Sequence, residues 1–198
     1  MKKQSGKTIQ TKAALTNAFW ELYKEKPITR ITVKDITDQA GYYRSTFYFY
    51  FTDVYHVLEQ IENSILQAWE SMANDIPGQK KNELLLERIT AFYENNGEYI
   101  SVLLSQKGDP AFLQKIKDMM RPKMFLLFKF PDKDTKGSLI FEFIVSAMLA
   151  FLTEWYQNRR YISAEDAVAL LQSLASENIA SVMLRHAADV RDGRELST

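Results

Sequence analysis

Cysteine is absent from the 198 residues, so neither a disulfide framework nor a thiolate metal site can form, a composition that suits a reducing cytoplasm. Histidine is nearly absent: His56 and His186 stand far apart, and His56-Val57-Leu58-Glu59 reverses the Glu-x-x-His order of di-iron bundles, so no metal site is expected. No G-x-S-x-G, G-x-x-x-x-G-K or G-x-G-x-x-G occurs, and the Glu165-Asp166 carboxylate pair sits at a helix start, where the helix dipole explains it. No catalytic residue or cofactor is therefore assigned, and an enzyme is not expected. Long apolar runs are lacking too. Phe143 to Thr153, between Glu142 and Glu154, is too short to span a bilayer, and the basic MKKQSGKTIQTK has no apolar stretch of the kind a secretion signal needs. A soluble, cytoplasmic protein without a membrane partner is the expectation.

Net charge is also missing, with 25 Lys and Arg against 25 Asp and Glu, but the balance is uneven along the chain. Residues 1–50 carry nine cations and four anions, a balance of +5, which leaves −5 for residues 51–198. A positive end on a neutral chain points to a local polyanion-binding surface, because a protein's field acts through where its charges sit.

What is present is apolar periodicity. The chain is 46% hydrophobic, enough for one or two compact units, and only seven glycines and five prolines interrupt apolar residues recurring at steps of three and four. The reading is helical almost throughout, without strands. A first helix spans about Thr8 to Glu25, with Ile9, Leu15, Ala18, Phe19 and Leu22 on one face, and stops before Pro27. Thr32 is a good N-cap for a short helix Val33–Ala40, with Asp35 as the partner of a capping box, and Gly41 breaks it. A second short helix covers Tyr43–Phe51, and Thr52 and Asp53 can cap a long one from Val54 to about Asn74. Beyond Pro77 and Gly78, helices are expected over Asn82–Glu94 and Tyr99–Ser105. Asp109-Pro110 starts another reaching Phe128, PDKDTKG forms a loop, and Ser138–Gln157 and Ala164–His186 complete the set.

GYYRSTFYFYFTD, residues 41–53, puts seven aromatics into ten positions. At about 100° per residue, Phe47 and Phe51 share an inner face, Ser45 and Phe49 point away from it, and Tyr48 lies on the flank. Two helices joined by a glycine turn, the second carrying Arg44, hydroxyls and tyrosines, form a helix-turn-helix arrangement whose second helix lies in the DNA major groove. Packing of those aromatics on another subunit is the competing reading.

The stretch ITVKDITDQAGYYRSTFYFYFTDVYHVLEQI, residues 31–61, resembles the DNA-binding segment of TetR/AcrR-type regulators. Thr32, Val33, Ile36, Ala40, Gly41, Thr46, Phe47, Tyr48, Tyr50, Phe51 and Leu58 stand in register with that family's pattern, and the likeness covers about residues 8–61. YISVLLSQKGDPAFLQKIK, residues 99–117, more weakly resembles effector domains of TetR-type regulators from Firmicutes. The resemblance implies that Thr32, Lys34, Tyr48 and Tyr50 hold the phosphate backbone while Tyr43, Arg44, Ser45 and Phe49 face the groove; Thr46, in the same cluster, completes the expected contact set. Three positions depart from the pattern. Tyr42 replaces a small aliphatic, Tyr43 replaces the serine that caps the recognition helix, and Val54 stands where a phosphate-binding lysine is usual.

The expected architecture is all-α, a three-helix DNA-binding unit over residues 1–53 followed by a helical effector-binding and dimerisation unit over 54–198. Apolar stripes on the last two helices suit half of an intermolecular four-helix bundle, with Ile144, Ala147, Phe151, Trp155, Leu171, Leu174 and Val182 as interface residues; packing of both stripes within one subunit is the alternative. Trp69, Phe92, Tyr93, Met120, Met124, Phe128, Phe141 and Met148 suit an adaptable apolar cavity. The functional expectation is a homodimeric repressor on a pseudo-palindromic operator in double-stranded DNA, released by an unidentified small apolar effector. A helical interaction module, or an activator controlled by a protein partner, is the alternative.

Overall fold

The computed structural model describes residues 2–74, 81–105, 108–128, 130–131, 133–157 and 162–176. They form helices α1 (Lys2–Glu25), α2 (Val33–Ala40), α3 (Arg44–Tyr50), α4 (Val54–Asn74), α5 (Lys81–Leu103), α6 (Pro110–Phe128), α7 (Thr135–Gln157) and α8 (Ala164–Ser176), with one 3-10 turn at Ile28–Arg30. Among the described residues there is no strand. Three expectations differ in extent, the first being that α7 begins at Thr135, inside the PDKDTKG stretch expected as a loop. α1 begins at Lys2, and Ile9, expected on its inner face, is exposed.

The largest difference is α5, one continuous helix through Asn95-Asn96-Gly97, where two helices were expected. The Asn95 and Asn96 amides donate back to the carbonyls of Ala91 and Phe92, and the missing Gly97 side chain admits the Tyr156 ring of α7: a Cβ there would lie 2.2 Å from it. Close approach of α5 and α7 offsets the cost of a mid-helix glycine, about 1 kcal/mol.

α1, α2 and α3 make a compact trihelical unit. α1 lies on α2 and α4, and the unit's core is Leu15, Phe19, Tyr23, Ile36, Phe47 and Phe51. α2 starts at a full capping box: the Asp35 amide donates to Thr32 Oγ1 and the Thr32 amide donates to Asp35 Oδ2, both at 3.1 Å. It stops at Gly41, whose φ of 73° is left-handed; open space surrounds the missing Cβ, so it is the backbone conformation that favours glycine. α4 is the spine that joins the halves. Val57 and Leu58 pack in the N-terminal core and Ile65 and Trp69 in the C-terminal one, where α5 and α6 lie on α4 and α7 lies on α5 and α6.

α7 is apolar on more than one side. Phe141, Val145, Leu149, Leu152 and Trp155 are buried, while Leu139 and Phe143 are 67% and 64% exposed and Ile140 and Ile144 are exposed beside them. By length and composition α7 could cross a membrane; a core face and an outer apolar stripe on one helix give the same composition.

Candidate nucleic-acid interface

Local sequence dictates how α3 presents its side chains. Phe47 is fully buried, its ring 5.3 Å from that of buried Phe51, and these two anchor the helix from beneath. The helix then turns Tyr43 (83% exposed), Phe49 (77%) and Tyr48 outward with Arg44 and Ser45, while Thr46 and Tyr50 are half-buried at the flanks. The outward rings are braced from below: Tyr48 meets Phe47 edge-on, and Phe49 meets Tyr50 edge-on at 4.9 Å. Tyr43 occupies the N-cap position and gives no side-chain cap, the consequence of a ring where a hydroxyl would serve.

Cations at this end are divided between free and engaged. Lys26 reaches Asp35 at 3.0 Å, and that contact, with the Thr32 amide, holds the Asp35 carboxyl below the usual carboxylate range. Lys34 makes an exposed bridge of 3.4 Å to Asp38, a kind worth at most about 1 kcal/mol, so a phosphate can displace it. Arg44 and Arg30 have no carboxylate within bridging distance among the described residues, and Lys12 lies 5.9 Å over the Phe51 ring. Thr32 is exposed, but its amide and hydroxyl are both engaged in the capping box, so only the hydroxyl oxygen's remaining capacity faces outward. Val54 is buried in the core, which explains a valine at the start of α4. That start is capped instead by Asp53, whose Oδ1 accepts from the His56 amide at 2.8 Å, while the Thr52 amide donates to His56 Nδ1 at 3.1 Å. The other ring nitrogen, Nε2, lies 2.8 Å from the Gln60 side-chain amide. His56 is thus a helix-start residue.

Two groups of side-chain contacts link distant helices, α1 to α5 and α4 to α6, and the sequence offered no local signal for either. On one side Trp20 lies 4.4 Å from the Tyr99 ring and donates to Glu98, which also accepts from Lys24 at 2.8 Å; the Lys24 contact holds the Glu98 carboxyl low. On the other, Lys115 of α6 donates at 2.5 Å to Glu62 of α4, a carboxylate with almost no exposure whose Oε1 has no hydrogen-bond partner. Burial pushes the Glu62 carboxyl up, against the pull of the Lys115 ammonium, and nearby Asp109 adds to the rise. Burial, with Glu62 second, raises the neighbouring Tyr23 phenol to about 12.

Of the expected cavity residues, Trp69, Phe92 and Tyr93 line one apolar cavity with Ile65, Ile100 and Leu149, of only ≈ 10 Å³, about the room one water needs. Met120, Met124 and Met148 pack half-buried around the core, Phe141 is buried against Phe125, and Phe128 closes α6. Of the expected interface residues, Ile144 and Ala147 lie on the exposed side of α7, Phe151, Leu171 and Leu174 are half-buried, and Val182 lies outside the described residues. Trp155 is buried within the subunit, its indole donating to the Ile162 carbonyl at 3.3 Å.

Residues 80–177 match the TetR_C_8 family model, described as the transcriptional regulator C-terminal region. The fold is similar to that of a TetR transcriptional regulator from Streptococcus agalactiae 2603V, at 24% identity and a TM-score of 0.62 over 86% of this chain and 96% of that one. It is also similar to the fatty acid degradation regulator FadR from Bacillus halodurans (14% identity, TM-score 0.57, 82% and 91% of the chains). A third likeness is to the dihydroxyacetone kinase operon activator DhaS (21%, 0.52, 89% and 98%). No curated protein matches the sequence. With the C-terminal half fitting that regulator model, and the whole chain folded as TetR regulators are, the protein belongs to the TetR family of transcriptional regulators.

Proposed function

We propose that the chain is a cytoplasmic homodimeric repressor that reads a pseudo-palindromic operator in double-stranded DNA through α3 and is released when a small apolar effector enters the α4–α7 interior. One observation carries the DNA reading: α3 buries Phe47 and holds Tyr43, Arg44, Ser45, Tyr48 and Phe49 outward at the cationic end of the chain. In this reading Arg44 meets a base edge, Tyr43, Ser45 and Phe49 lie in the groove, and Thr32, Lys34, Thr46, Tyr48 and Tyr50 touch or position the backbone. Residues 1–53 act as the reading unit and residues 54–198 as the effector and dimer unit. The exposed stripe Leu139, Ile140, Phe143 and Ile144 supports pairing of two copies through α7 and α8, which sets two reading helices about 34–36 Å apart.

The test is selection of bound duplexes from random DNA, followed by affinity measured against salt. Three to five neutralised phosphates per subunit should give a log–log slope of about −0.9 for each. A chain that retards no duplex, or an affinity indifferent to salt, sinks the proposal. Activation under a protein partner is a second reading. The fold itself leaves the direction of regulation open, since DhaS is named as an activator.

A further inference from the structure

The outer pole of α3 lies opposite the buried Phe47. At about 100° per residue, Ser45 and Phe49 stand about 160° and 200° round the helix from it, so a hydroxyl and a hydrocarbon ring project furthest from the core. The Phe49 ring leans edge-on against Tyr50, which packs on the core, and is 77% exposed. It has no polar atom, so it can hydrogen-bond neither a phosphate nor a base. The helix, RSTFYFY, holds no Asn, Gln, Asp, Glu or Lys. In a major groove, carboxamides single out adenine, carboxylates cytosine, Arg or Lys guanine, and apolar groups the thymine methyl. Of these, α3 has only the Arg44 guanidinium and apolar rings. Hydroxyls both donate and accept, so Ser45 and Thr46 discriminate little.

We infer that Phe49 reads the 5-methyl group of one pyrimidine in each half-site, and so determines specificity by apolar contact. This deepens the operator reading proposed above and rests on it. The 5-methyl is the apolar substituent that a base edge presents in the major groove, carried by thymine or by 5-methylcytosine. A protein partner could cover the same ring, but its neighbours are Arg44, Ser45 and the phenols of Tyr43 and Tyr48, and residues 1–50 balance at +5. That company suits a polyanion. Arg44 and Phe49 are five residues apart, about 7.5 Å along the helix or roughly two base-pair rises, so they meet different base pairs. The half-site therefore pairs a guanine with a methyl-bearing pyrimidine.

The test starts from duplexes that the full-length chain selects from random DNA. Each thymine of the selected half-site is replaced in turn by deoxyuridine, which removes the methyl and keeps every hydrogen-bonding group. Each cytosine is replaced by 5-methylcytosine, which adds one. Affinity is read by fluorescence anisotropy at fixed salt. At one position the methyl should tighten binding by about fourfold per half-site, the worth of one buried methyl, and by about fifteenfold when both half-sites carry it. The uridine and methylcytosine arms separate the two sources of the methyl. Phe49→Ala should bind the methylated and methyl-free duplexes alike, whereas Tyr43→Ala, at an equally outward ring, should keep the preference at that position. The parent chain alone carries the uridine and methylcytosine arms, so the inference stays testable even if a variant fails to fold. Salt-dependent, sequence-specific binding indifferent to every methyl refutes this inference alone. A methyl preference that survives Phe49→Ala, or is lost in Tyr43→Ala, also overturns it. Failure to bind any duplex instead refutes the operator reading on which it rests.

Discussion

α3 and α7 both expose large apolar side chains, yet the chemistry around them differs. On α3 the exposed residues are aromatic and stand among Arg44, Ser45 and the phenols of Tyr43 and Tyr48, so the surface offers ring faces together with donors. On α7 the stripe of Leu139, Ile140, Phe143 and Ile144 has exposed Lys136 and Ser146 at its two ends and no polar side chain within it. A surface of rings and donors suits a polyanion with base edges, whereas an apolar stripe gains by covering itself with another apolar face. Exposure alone would have treated them alike; the polar company each keeps tells them apart.

The comparison can be broken at either end. Phe47→Ala should have the largest effect, costing about 3–5 kcal/mol in chemical denaturation, because it empties the support under α3; a loss below about 1 kcal/mol would mean the outward rings are held some other way. Phe143→Glu places a charge in each copy of the α7 stripe and should weaken self-association by about thirtyfold or more, at roughly 2 kcal/mol or more for a hot-spot residue. Sedimentation equilibrium reads this directly, and an unchanged dimer would show the stripe to be uninvolved. Arg44→Ala should cost about 1–3 kcal/mol of operator affinity and relax preference at one base pair per half-site, as judged by binding to single-substitution operators. Tyr48→Phe should lose only about 0.5–1.5 kcal/mol, equally on all duplexes. If it instead altered base preference, Tyr48 would be a reader and not a backbone contact.

The smallest effect concerns the joint between α4 and α6. Glu62 has a folded-state pKa raised by burial, so its contribution to stability is full below the ordinary carboxylate value and is lost as pH rises through the raised one. Glu62→Gln removes that dependence. The stability difference, variant minus parent, should therefore move in the variant's favour as pH climbs from about 4.5. A difference independent of pH would show Glu62 to titrate as an ordinary carboxylate.

The helical class, the glycine-turn arrangement and the burial of Phe47 and Phe51 were legible without coordinates, because a period of 3.6 residues and a capping residue act over one or two turns of a single helix. The same logic failed at Asn95-Asn96-Gly97, where a stop was expected. What keeps α5 continuous there is Tyr156, some sixty residues away, filling the space that Gly97 leaves. The family match is instructive in the same sense: it lies over residues 80–177, where the recognisable motif was the weaker one.

Periodicity also marked α7 as apolar but could not assign its sides. A helix apolar around much of its circumference carries no internal sign of which stripe meets its own subunit, and the packing of α5 and α6 decided that Trp155 goes inward and Phe143 outward. Helix type, helix limits near the caps and the make-up of the exposed α3 surface are written in neighbouring residues, because backbone hydrogen bonds and side-chain period are short-range. The Glu62–Lys115 joint and the small apolar cavity exist only once distant helices meet, since burial is a property of an assembled environment and of no residue alone.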